Sequence, residues 1–260
     1  RYTMGPHRCF LLLRGSGNRS IMPCLRRTHQ IERALTRLAS SVSRALTVRM
    51  RITKHEHACL RLEAEGKQLI IDPGSFTLPL SDLHGLAAIV ITHEHPDHWT
   101  PEHLERILDR NPGARILGPA GVAAAAKDFT VETVAGGDAV EIEPFSLRFF
   151  GEKHAVIHSS IPVVDNVGVM VDEKLYYGGD SYTVPDVPVE VLAAPIGAPW
   201  LKIGEAMDYV LEVKPRRSFP IHEAVLSQIG KTMTQARIEA VTQQGGGEFF
   251  VLEPGESLEL

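Results

Sequence analysis

A chain of 260 residues with 43% hydrophobic content is long enough for one large domain with a substantial core, and no apolar run reaches the length needed to span a bilayer. The formal charge of −5 hides a division: residues 1–49 carry ten arginines and one acid, net +9, whereas residues 50–260 carry 17 bases and 31 acids, net −14. So acidic a main segment argues against nonspecific binding to nucleic acid, and no specific nucleic-acid partner is expected.

Residues 1–49 contain no lysine or aspartate and begin with Arg1. Three readings fit this basic, disordered extension: an organelle transit peptide, an arm that binds nucleic acid or anionic lipid, or translated upstream sequence with Met50 as the start, which is favoured. Its one amphipathic stretch, Ile31 to Leu38, makes a marginal helix. Cys9 and Cys24 lie there and Cys59 is alone in the rest, so a reducing, cytoplasmic setting is expected, or an organelle if the extension is a transit peptide.

From Met50 the chain reads as a single domain, residues 50–260. Arg51–Glu63 and Lys67–Asp72 form an expected hairpin about Glu65-Gly66, followed by the buried strand Ala87-Ala88-Ile89-Val90-Ile91. Helices are expected at Pro101–Arg110, with Thr100 as N-cap and His103 on the solvated side, then at Ala120–Lys127, Gly204–Val213 and Thr232–Gln244, the last stopped by Gly245-Gly246-Gly247. Short strands are expected at Val131–Val134, Ala139–Ile142, Ser146–Gly151, Val167–Val171, Lys174–Tyr177, Val189–Ala193 and Glu248–Leu252. The pattern alone says mixed α and β.

The chemistry concentrates in Thr92-His93-Glu94-His95-Pro96-Asp97-His98, directly after the buried strand. A polar surface turn explains one or two histidines, whereas a His-x-His-x-Asp-His array suits zinc and neighbouring metals. An extended backbone puts His93 and His95 on one face, able to share an ion, and leaves Asp97 and His98 to turn towards a second.

This array, together with His154 after a strand-like run, Gly178-Gly179-Asp180-Ser181 and Pro220-Ile221-His222, resembles the metallo-β-lactamase superfamily of metal-dependent hydrolases. The resemblance covers nearly all of residues 50–260 and is strongest to the small group related to L-ascorbate-6-phosphate lactonase. It implies a four-layer αββα sandwich. It also implies that His93, His95 and His154 bind one metal, that Asp97, His98 and His222 bind another, and that Asp180 bridges them. The implied activity is hydrolysis of a small-molecule ester, lactone or phosphoester by a hydroxide held between two divalent ions, with Asp97, His98 and Asp180 as the catalytic groups. Zinc leads on ligand chemistry, and manganese or iron also suits the set. A metal-containing binding or sensing module without turnover is the alternative.

Four further residues have more than one reading. His158 is either a rival of His154 as ligand, a group facing substrate or supporting a ligand, or a structural histidine. Asp72, ending an apolar strand before Pro73-Gly74, either orients a ligand histidine or stabilises its turn. His57, in His55-Glu56-His57-Ala58-Cys59, stands beside the site in related sequences or is a satisfied histidine in a first strand. Trp200, in Pro195-Ile196-Gly197-Ala198-Pro199-Trp200-Leu201-Lys202, either contacts substrate or covers the core.

Overall fold

A computed structural model describes residues 49–260, so every reading of residues 1–48 lies outside the described residues. Two seven-stranded mixed sheets form the body. The first holds Met50–Lys54 (β1), Leu60–Ala64 (β2), Lys67–Ile71 (β3), Leu86–Val90 (β4), Arg115–Gly118 (β5), Val131–Thr133 (β6) and Ser257–Glu259 (β14), in the order β14-β1-β2-β3-β4-β5-β6. The second holds Ala139–Ile142 (β7), Phe145–Phe150 (β8), Gly168–Val171 (β9), Leu175–Tyr177 (β10), Val191–Pro195 (β11), Arg217–Ile221 (β12) and Glu248–Phe249 (β13), in the order β13-β12-β11-β10-β9-β8-β7.

The layers follow from the two-residue period of a strand. Leu69 and Ile71, Ala88 and Val90, and Leu117 point into one buried cluster with Val169, Val171, Leu175, Tyr177, Val191 and Ala193 of the other sheet. Their alternates face outwards. Ile70, Ile89 and Ile116 pack under Pro101–Arg110 (α1) and Ala120–Ala125 (α2), while Met170, Tyr176, Leu192 and Ala194 pack under Ile203–Val213 (α3) and Gln228–Gln244 (α4). Helices, sheet, sheet and helices make the expected four-layer sandwich. No helix among the described residues is long and apolar enough to cross a membrane.

The expected hairpin about Glu65-Gly66 forms, with φ of 47° and 75° at those residues as a two-residue turn of this kind demands. The single strand expected over Arg51–Glu63 does not: it breaks at His55–Cys59 into β1 and β2, which pair antiparallel, because His57 takes a left-handed φ of 60°. Thr100 caps α1 as expected, accepting from the His103 amide at 3.2 Å. His103 is a correction, since it is buried and its Nε2 lies 3.1 Å from the Thr77 carbonyl, bridging α1 to the loop before β4. The last helix starts four residues early at Gln228, where Ser227 accepts from the Gly230 amide. Strands β5, β12 and β14 were not among the expected elements.

Candidate metal centre

The predicted residues stand at the carboxyl ends of strands. Asp72 follows β3, the His-x-His-x-Asp-His array follows β4, His154 follows β8, Asp180 follows β10, Trp200 follows β11 and His222 follows β12. The sheets meet at this edge through the Val167 amide, which donates to the Thr92 carbonyl at 3.0 Å, and through an antiparallel bridge of His93 with Asn166.

His93, His95, His154, Asp97, His98, Asp180 and His222 come together. Ligand atoms of His93, His95 and His154 lie within 4.8 Å of one another, as do those of Asp97, His98 and His222 with His57, and those of His93, His98 and Asp180 join the two groups. The rings of His93, His95 and His154 sit 4.8–4.9 Å apart, centroid to centroid. Asp180 is central: its Oδ1 is 3.1 Å from His98 Nε2, and its Oδ2 is 3.1 Å from His222 Nε2, 3.4 Å from His154 Nε2 and 4.0 Å from His93 Nε2. His95 and Asp97 are the less buried members and mark the open side.

The outer nitrogens decide what the inner ones can do. His98 Nδ1 donates to Asp72 Oδ2 at 2.7 Å, His222 Nδ1 to the Gly197 carbonyl at 2.7 Å, and His154 Nδ1 to the Ala155 carbonyl. Thr92 gives its hydroxyl proton to Asp72 at 2.6 Å, so its oxygen accepts from His93 Nδ1 at 3.1 Å. In neutral imidazole only one nitrogen carries a proton, so in their neutral forms, the forms that bind metal, all four rings present an Nε2 lone pair inwards. The Nε2 atoms of His93 and His154 are buried with no hydrogen-bond partner, and those of His98 and His222 face each other at 3.2 Å. Converging lone pairs beside carboxylates fit a cation, and the nitrogen and oxygen donors suit zinc, manganese or iron.

The local field agrees. Burial opposes charge on Asp180, yet His98 and His222 outweigh it and hold its carboxyl well below the usual carboxylate range. Burial likewise opposes a cation on His98, but Asp180 and Asp72 lift its pKa well above the ordinary value, and Asp180 raises that of His222. Burial and the neighbouring His98 push His93 well down. Asp97 is lowered because the His57 hydrogen bond and His98 overcome burial.

Asp72 is buried and accepts from the Thr92 amide, the Thr92 hydroxyl and His98, with the Tyr177 hydroxyl 2.9 Å away. Its side chain therefore serves a site histidine and the end of β4, while its own turn is closed by the Gly74 amide on the Asp72 backbone carbonyl. His57 is not in a strand. Its Nδ1 accepts from the Ala224 amide at 3.3 Å, which puts the ring proton on Nε2, 3.2 Å from Asp97 Oδ2. Its geometry suits holding Asp97 better than binding an ion, although it lies within ligand range. Trp200 is 8% exposed and donates Nε1–H to Asp180 Oδ2 at 2.7 Å, a contact outside both sequence readings. His158 stays apart, exposed, its Nδ1 2.8 Å from Ser160 Oγ.

Sequence reasoning missed Asn166 and Tyr177. Buried Asn166 accepts from the Asp180 amide and donates to the Gly178 carbonyl, both at 3.0 Å. It shapes the turn at Gly179, where φ is 61° and an added Cβ would stand 2.4 Å from Asn166 Oδ1. Neither residue carries a motif, because each acts through a partner at least a dozen residues away.

Comparison with known proteins gives the same grouping. Residues 51–222 match the family model described as a β-lactamase superfamily domain. Protein Rv0786c of Mycobacterium tuberculosis is 36% identical over 198 residues, covering 74% of this chain and 93% of the relative. A UPF0173 metal-dependent hydrolase of Aeropyrum pernix is 27% identical over 237 residues, covering 80% and 97%. Among solved structures, Igni18, a metallo hydrolase from Ignicoccus hospitalis, superposes with a TM-score of 0.61 at 20% identity, covering 82% of this chain and 98% of that one. With its sandwich, its array after β4 and a family match over residues 51–222, the chain belongs to the metallo-β-lactamase superfamily.

Proposed function

We propose that residues 50–260 form a metal-dependent hydrolase domain in which His93, His95 and His154 hold one divalent cation, Asp97, His98 and His222 hold a second, and Asp180 bridges the pair. The observation that carries this reading is the set of four imidazoles bound outwards through Nδ1, with Nε2 atoms converging on one buried carboxylate. Relatives named metal-dependent hydrolases support the activity class. When bound, such ions polarise a carbonyl or phosphoryl oxygen and ease deprotonation of water.

The chain's own groups do the rest. Asp72 fixes the tautomer and orientation of His98, His57 holds Asp97, and Trp200 and Asn166 hold Asp180. Asp97, kept ionised by His57 and His98 and lying on the open side, is placed to accept a hydrogen bond from what enters there. An ester, a lactone of the kind suggested by the L-ascorbate-6-phosphate lactonase resemblance, or a phosphoester suits this arrangement.

The test is reconstitution of metal-free protein with zinc, manganese or iron, metal counting, and a panel of esters, lactones and phosphodiesters. Two ions per chain and turnover are expected. Asp180→Ala should lower both the metal count and kcat/KM, the latter by more than the roughly 10–100-fold that loss of an outer partner costs. Retained turnover in that variant overturns the bridging role, and two bound ions without turnover of anything favours a binding or sensing module.

A further inference from the structure

Nine large hydrophobic side chains are exposed among the described residues. Single exposed apolar residues are ordinary, and their scatter carries no message. These are not scattered. Two lie on residues 73–81, three on 155–164, two on 224–230, and Met233 is one turn further along α4; Val251 alone lies elsewhere. The three segments directly follow Asp72, His154 and the His222-Glu223 pair.

Each segment touches the site at its root. The Phe76 ring is 5.0 Å from that of His57. Val156 follows Ala155, whose amide donates to the Asp180 carbonyl at 2.8 Å and whose carbonyl accepts from His154. Val225 follows Ala224, whose amide donates to His57. Charge is missing from all three. In a chain with 23% charged residues, stretches 73–81, 155–164 and 224–230 hold no Asp, Glu, Lys or Arg. The loop 196–202 that carries Trp200 holds one, Lys202, which pairs with Glu205 at 3.6 Å.

An anionic metabolite needs cations at the mouth that receives it; the three stretches offer none, and Lys202, beside Trp200, is paired with Glu205. An apolar group needs uncharged, apolar walls. We propose that the substrate carries a neutral, apolar group beside its scissile bond, an acyl chain or aryl ring on an ester, lactone or thioester, and that Phe76, Ile161 and Val225 belong to the rim that receives it. The inference rests on the hydrolase reading above for the scissile bond, and on the loops alone for the apolar group.

The experiment compares metal-loaded protein on 4-nitrophenyl acetate, butyrate and octanoate, and on the 4-nitrophenyl half-ester of suberic acid, which ends in a carboxylate. A fully buried methylene is worth about fourfold. Octanoate is expected to exceed acetate in kcat/KM by at least about tenfold, and the half-ester by a similar factor. Separately, metal-free protein is titrated with the neutral dye N-phenyl-1-naphthylamine and the dye displaced with octanamide. The triple variant Phe76→Ser, Ile161→Ser, Val225→Ser should lose the octanoate preference and the dye binding, while Val251→Ser keeps both. All four positions are exposed, so the core is left filled.

A flat chain-length response, or a half-ester cleaved as fast as octanoate, overturns the proposal and leaves the hydrolase reading standing. Hydrolysis of none of these esters, nor of the lactones and phosphodiesters of the panel above, sinks that reading instead; displaceable dye binding lost in the triple variant then upholds the apolar rim, and its absence overturns it. A triple variant that changes sedimentation but not dye binding makes the rim a contact between copies, which also overturns the proposal.

Discussion

Asp180 Oδ2 shares its space with Trp200 Nε1 at 2.7 Å, His222 Nε2 at 3.1 Å and His154 Nε2 at 3.4 Å. A carboxylate oxygen so crowded is set in one rotamer by the donor that does not leave when an ion arrives, and that donor is the indole. Trp200→Phe keeps an aromatic ring against His154 and Tyr182 and removes only the N–H. Metal affinity, measured by competition with a chelator, should fall by about 10–100-fold; unchanged affinity would mean that the histidines suffice to place Asp180. The residue types in the array and at positions 154, 180 and 222 were legible because metal chemistry restricts them. Trp200 was legible only as an aromatic on a loop, since its partner is 20 residues away in sequence.

Elements place those residues through a few unusual backbone turns. His57, Asp72 and His222 all have left-handed φ, of 60°, 48° and 62°, a conformation that costs non-glycine residues on the order of 1–3 kcal/mol and persists where its surroundings enforce it. The enforcing bonds are visible: the His222 amide donates to the His57 carbonyl at 2.9 Å, and the Asp72 amide to the Val90 carbonyl at 3.0 Å. Gly179 avoids that cost, but its space is closed, with Thr92 Cβ 2.8 Å from where a methyl would stand. Gly179→Ala should therefore destabilise the fold by about 2 kcal/mol or more and lower metal occupancy together with it, as read by denaturant melts and metal counting. Loss of neither would show that the turn relaxes freely. Helix α1 was legible from Thr100 and Pro101, local signals at its own start. Strand β12 was not, because Pro220 contradicts a strand reading; the sheet tolerates it where β13, which pairs with Arg217 and Ser218, has already ended.

For the whole molecule, the candidate centre draws on both sheets, so an ion bound there also fastens the sandwich. Metal removal should lower Tm by about 10 °C if the site is bound a thousandfold above its Kd. The difference should depend on pH. Without metal, the raised pKa values of His98 and His222 contribute stability that is complete below their unfolded value of about 6.5 and is lost as pH climbs through their folded values. With metal those protons are already gone. The Tm gap between loaded and metal-free protein should thus widen from pH 6 to pH 8.5 in thermal melts, and a gap that narrows would contradict a cation held by these two rings.

By itself the amino-acid order determined the strand alternation of a mixed α and β fold, the start of α1 and the hairpin turn, and the residue types able to hold metal, since each is written within a few neighbours. Only the tertiary structure decided that His154 joins the cluster while His158 stays outside, that His103 is buried, and that Trp200 serves Asp180. It also brought the roots of three uncharged stretches against the cluster. Those outcomes depend on which strand ends share an edge, a matter of packing between segments remote in sequence that no local pattern encodes.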